Sequence, residues 1–76
     1  MIIIKVISRR TGRPVSGALV KIHVGTSLFG HVAEPQRTDS KGEAVFAENP
    51  TSNGIVWVNS RVVRQGALQG TVVVNI

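Results

Sequence analysis

The feature that most constrains this chain is a two-residue rhythm within short runs of β-branched residues. From Ala18 to Val24, the side chains of Ala18, Val20, Ile22 and Val24 fall on one face, and those of Leu19, Lys21 and His23 on the other. Successive side chains of a strand alternate in this way, whereas an amphipathic helix needs apolar residues three and four apart. Similar runs occupy Ile2–Ser8, Glu43–Ala47, Ile55–Val58, Arg61–Gln65 and Gln69–Ile76, with a shorter one over Phe29–Ala33. Glycine, proline, asparagine and serine separate them. The pattern predicts an all-β chain of about seven strands, one every ~10 residues, folded as a single domain over residues 1–76.

Particular residues fix the expected faces and turns. Ala44 and Phe46 share one face of their strand, and Phe46 is an expected core anchor. Val72, Val74 and Ile76 share a face of the last strand. Ile2–Ser8 is apolar apart from Lys5, which predicts cover on both faces. Asp39-Ser40-Lys41-Gly42 has the chemistry of a tight turn, with Gly42 at positive φ. Asn59-Ser60 suits a two-residue hairpin loop, although glycine in the second place would suit it better. Glu48–Gly54 and Gly66–Gly70 are expected to be a loop and a bend.

Seventy-six residues without a cysteine leave the core to carry the fold unaided by disulfides. The opening MIIIKVISRR places charge inside and after an apolar run, the reverse of a secretory leader. No stretch approaches the ~20 apolar residues of a membrane helix. The sequence therefore predicts a soluble chain with no signal peptide and no membrane span, either cytoplasmic or part of an exported assembly.

Three segments carry a family resemblance. Thr11-Gly12-Arg13-Pro14-Val15-Ser16-Gly17-Ala18-Leu19-Val20-Lys21-Ile22 resembles the opening of carboxypeptidase regulatory-like domains, which belong to the transthyretin-like β-sandwiches. Thr38-Asp39-Ser40-Lys41-Gly42-Glu43-Ala44-Val45-Phe46 is similar to that group's second hallmark. Val58-Asn59-Ser60-Arg61-Val62-Val63, followed by Gly66 and Leu68, is similar to its later hairpin, with Ser60 where glycine is usual. The resemblance covers the chain from Ile2 to Ile76 but is poor over Gly25–Gln36. It implies a seven-stranded Greek-key sandwich, transthyretin-like or Ig-like, used as an accessory, folding-assisting or adhesive module.

Catalytic chemistry is hard to find. Ser8, Ser16, Ser27, Ser40, Ser52 and Ser60 lie in no nucleophile elbow, and the chain has neither cysteine nor tyrosine. His23 and His31 lack a third ligand at a recognisable spacing, and His23 is expected on a solvent-exposed face. Lys41 stands where a calcium loop would need an oxygen ligand. No catalytic, cofactor or metal site is expected.

Nine Lys and Arg against four Asp and Glu give a net charge of +5. Arg9, Arg10 and Arg13 cluster in the first turn, Arg37 and Lys41 lie near the second, and Arg61 and Arg64 near the last hairpin. Arg9, Arg10, Arg13 and Arg37 are the candidate anion contacts. Nucleic-acid binding usually adds aromatic platforms, and Trp57 is expected in the core instead. The apolar terminal runs Ile2–Ile4 and Val72–Val74 invite pairing with another chain. The expected function is a non-catalytic module acting through protein–protein contact, with another protein or a self-associated edge strand as partner. The alternative is anion or nucleic-acid binding through the arginine-bearing turns.

Overall fold

The runs of β-branched residues resolve into strands on two sheets. The computed structural model describes residues 1–26 and 28–76; Ser27, one of the serines considered above, lies outside the described residues. Eight strands are present among these: β1 (Ile2–Ile7), β2 (Leu19–Val24), β3 (His31–Val32), β4 (Gln36–Arg37), β5 (Glu43–Phe46), β6 (Thr51–Val58), β7 (Arg61–Leu68) and β8 (Gly70–Asn75). The described residues include no helix, and so none long and apolar enough to cross a membrane.

One sheet has three strands in the order β5-β1-β8. Its central strand, β1, is antiparallel to β5 and parallel to β8. The other sheet has the order β3-β2-β6-β7, with β4 also pairing along β2. The core fills with the inward residues of both sheets. Ile2, Ile4 and Val6 of β1 join Phe46 of β5 and Val72 and Val74 of β8; Val20 and Ile22 of β2, Val56 and Val58 of β6 and Leu68 of β7 complete it. The Ala18–Val24 alternation, the inward Phe46 and the inward Val72 and Val74 all stand as the sequence predicts. Ile76 does not; it lies beyond β8 and stays exposed.

Several expectations need correction. Among the described residues the count is eight rather than seven, because the stretch between Gly25 and Arg37 supplies two strands of two residues each, both held against β2. Phe29 belongs to neither and is 89% exposed. Thr51–Gly54, expected to be loop, begins β6, and β7 continues through Gly66 to Leu68 before the chain turns. The outer side chains of β1, Ile3, Lys5 and Ile7, are half-buried among their neighbours rather than covered by another layer. Trp57 is not in the core. The inward residues of β6 are Gly54, Val56 and Val58, so Trp57 is turned to the outer face, where Lys21 Nζ lies 4.8 Å from its ring centroid.

The turns carry the conformations that their residues allow. Gly42 has φ 75°, and a Cβ there would lie 2.7 Å from the Val6 carbonyl oxygen and 2.9 Å from Pro14 Cβ. Asn59 and Ser60 have φ 50° and 71°, the pair of positive values that a type I′ hairpin turn needs. The Leu19 N–H donates to Asn59 Oδ1 (3.1 Å), and the Asn59 N–H donates to the Leu19 carbonyl (2.9 Å), which ties this turn to the start of β2.

Candidate functional site

Every strand edge exposes main-chain donors and acceptors, so the four edges of the two sheets are compared first. On one side of the five-stranded sheet, the edge is split into β3 and β4, with Pro35 between them. On its other side, β7 carries Arg61 and Arg64, and its pairing with β6 shifts register between Val56 and Trp57. In the three-stranded sheet, β5 has only four residues and begins with Glu43. The remaining edge, β8, has six residues, Gly-Thr-Val-Val-Val-Asn, with no charge, no proline and no break in its register with β1.

The hydrogen bonds of Ile76 show how β8 is oriented. Its N–H donates to the Ile7 carbonyl (2.9 Å), and its carbonyl accepts from the Arg9 N–H (2.8 Å). Main-chain polar groups of successive strand residues point to alternate sides. The N–H and C=O of Val72 and Val74 therefore face β1, and those of Thr71, Val73 and Asn75 face away from it. A depression of about 370 Å³ runs beside that open side, lined by Arg64, Ala67, Gln69, Thr71, Val72 and Val73. The Arg64 guanidinium is folded back onto the Ala67 carbonyl (2.9 Å).

The outer face of the same sheet is largely aliphatic. Ile3 sits between Val45 and Thr71, Lys5 between Glu43 and Val73, and Ile7 beside Asn75. Val45 is 48% and Val73 53% exposed.

The predicted anion contacts gather at one end of the molecule. Arg9, Arg10 and Arg13 sit on one turn, closed by the Ser8 N–H on the Arg13 carbonyl (2.9 Å) and the Gly12 N–H on the Ser8 carbonyl (2.8 Å). All three are exposed, and no carboxylate lies within ion-pair distance of them among the described residues. Arg37 reaches the same region, but its guanidinium donates to the Gly17 carbonyl (3.0 Å). The Asp39–Gly42 turn packs on Pro14 and brings Lys41, and the Asn59–Ser60 turn brings Arg61. Two acids, Glu43 and Asp39, also lie at this end. Glu43 is opposite Lys5, and Asp39 Oδ1 accepts from the Lys41 N–H (2.8 Å) and the Glu43 N–H (3.0 Å). Those main-chain donors, Glu43 first and then Lys41, hold the Asp39 carboxyl below its ordinary range.

Sequence reasoning missed the residue that anchors this end. Thr38 is buried; its hydroxyl donates to the Val15 carbonyl (2.6 Å) and accepts from the Ala18 N–H (2.9 Å). A threonine beside Asp39 gives no sequence signal for such a bridge, because both of its partners are about twenty residues distant.

On the outer face of the five-stranded sheet, Trp57, Ile55, His23, Asn53 and Gln65 line a depression of about 470 Å³. His23 is half-buried rather than solvent-exposed. Gly30 packs against it so closely that a Cβ there would lie 2.6 Å from His23 Cε1, and His23 Nδ1 is buried without a hydrogen-bond partner among the described residues. His31 Nε2 lies 2.9 Å from Glu48 Oε1. Among the described residues, no three histidine or acidic side chains gather to hold a metal ion.

No family model, no curated protein and no solved structure matches this chain.

Proposed function

We propose that this protein is a non-catalytic module that acts through protein–protein contact, and that the three-stranded sheet is its contact surface. The observation that carries this reading is that the sheet has aliphatic side chains on both faces and a cover on only one. Ile2, Ile4, Phe46, Val72 and Val74 meet the core; Ile3, Val45 and Val73 lie on the outer face, where Val45 and Val73 are about half exposed. Apolar surface next to an uncharged edge gains free energy when a partner removes it from water, roughly 25 cal/mol per Å². The transthyretin-like Greek-key assignment belongs to the same proposal. The Thr11–Ile22, Thr38–Phe46 and Val58–Val63 motifs support it, and each contains a turn with the positive-φ residues such a motif needs, at Gly12, Gly42 and Asn59-Ser60.

The test is site-specific photocrosslinking in the native host. A photoreactive residue at position 45 should give a discrete protein adduct, whereas one at Val62 on the other sheet should not. No adduct from position 45, together with protein adducts from position 62, would refute the proposed surface.

A second reading is favoured by one observation: Arg9, Arg10, Arg13, Arg37, Lys41 and Arg61 share one end of the molecule with only Asp39 and Glu43 as acids. Such an end attracts phosphate or carboxylate groups. Retention on a phosphate-bearing polymer that falls steeply with salt, and is lost in an Arg9→Ser, Arg10→Ser, Arg13→Ser variant, would favour it over the sheet.

A further inference from the structure

Resting on the protein-contact reading, we infer that one partner of the β8 edge is a second copy of this chain, joined through antiparallel β8–β8 pairing about a two-fold axis at Val73. The outward main-chain groups are those of Thr71, Val73 and Asn75. In an antiparallel pair centred on Val73, Val73 meets its own mate, Thr71 meets the mate's Asn75, and Asn75 meets the mate's Thr71. Each of these residue pairs exchanges both of its main-chain hydrogen bonds.

The side chains agree with that register. On the outer face, valine meets valine, and threonine meets asparagine, which can hydrogen-bond it. On the inner face, Val72 meets the mate's Val74 and extends the aliphatic layer already formed by both residues. A shift of one residue would set Val73 opposite the mate's Val72 or Val74, whose main-chain groups are already bonded to β1, and would leave the outward groups of both strands without partners.

Charge selects the antiparallel arrangement. The arginine-bearing end lies beyond the C-terminal end of β8, where Arg9 bonds Ile76. Parallel pairing would bring two such ends together. Antiparallel pairing sets them apart by at least the strand length of about 20 Å, more than twice the ~8 Å screening length of physiological salt. Lys5 is one strand further in than Val73 on each side, so the two lysines also stay apart. Arg64 is the one charged residue lining the depression beside β8, and it is held by its own Ala67 carbonyl. A single edge is a small interface, so the dimer should form in the micromolar-to-millimolar range.

Sedimentation from about 10 µM to about 1 mM spans that range. The full chain should pass from monomer to dimer, and salt at about 0.5 M should not weaken the dimer, since no ion pair forms it. Val73→Lys places two ammonium groups against each other and should weaken the dimer about ten-fold or more. Val73→Thr and Val45→Lys should leave it intact, with circular dichroism confirming that each variant folds. A monomer throughout would overturn the self-pairing. So would a dimer indifferent to Val73→Lys, or one broken by Val45→Lys. The wider contact reading is tested separately by the adduct from position 45, so the two can fail independently.

Discussion

The edge strands β7 and β8 are joined by one short turn, yet they are built in opposite ways. β7 is long and carries Arg61 and Arg64, contains Gly66 at φ 127°, and slips register against β6. β8 is shorter, uncharged and in continuous register with β1. Charge and irregularity are the usual means by which a sheet edge is kept from pairing with another chain. The fold applies them to β7, divides β3 from β4 around Pro35, and limits β5 to four residues. Among the described residues, β8 is the edge that carries none of these features, and that difference is what makes it the candidate contact.

The comparison requires that both edges rest on one core. Phe46 is 2% exposed and packs in the cluster that contains Leu68 of β7 and Val72 of β8. Phe46→Ala should therefore cost about 3–5 kcal/mol in urea denaturation, with the amides of β7 and β8 losing protection together. Loss confined to one edge would show that the sheets unfold separately. Gly42→Val should cost roughly 1–3 kcal/mol, because it combines a positive φ with contact against the Val6 carbonyl and Pro14. Its effect should fall on the arginine-bearing end and leave the outward groups of β8 available. A stability equal to the parent's would mean that Gly42 is not held in that conformation.

How much of this was legible in the sequence depends on local periodicity. The faces of β2 are plain, because Val20, Ile22 and Val24 alternate with polar residues. The Gly42 and Asn59–Ser60 turns are plain as well, because their residue types suit positive φ. Trp57 was misplaced because Ile55-Val56-Trp57-Val58 is apolar at every position, so period two cannot set the phase. Only the pairing of Trp57 with Lys21 across the sheet decides it. β3 and β4 have two residues each and can show no period at all. The arginine end was legible as a set of turns, since turns after alternate strands of an antiparallel sheet meet at one end. The openness of β8 was not, because strand order is a long-range property and the interior place of β1 could not be read from its residues.

Two smaller effects sharpen the contrast between the edges. Ser60 enters β7 at φ 71°, where glycine bears no Cβ penalty. Ser60→Gly should stabilise the protein by about 1 kcal/mol and tighten the β6–β7 hairpin without altering association through β8. Thermal denaturation checks the first part and sedimentation the second. The smallest effect is on pH. The folded-state pKa of Asp39 is lowered, so its contribution is present above the ordinary carboxylate range and is lost as pH falls through the folded value. A pH titration of stability should show a small acid-side loss that is absent in Asp39→Asn, and β8 pairing should not follow it.

The central claim is that β8 turns the main-chain groups of Thr71, Val73 and Asn75 to open solvent. Residue-resolved amide hydrogen exchange at several protein concentrations tests it most directly. At low concentration, these three amides should exchange fast while those of Val72 and Val74 are protected by β1, and the fast set should slow as concentration rises. Protection of Thr71, Val73 and Asn75 equal to that of Val72 and Val74 at the lowest concentration, and unchanged at the highest, would contradict the account.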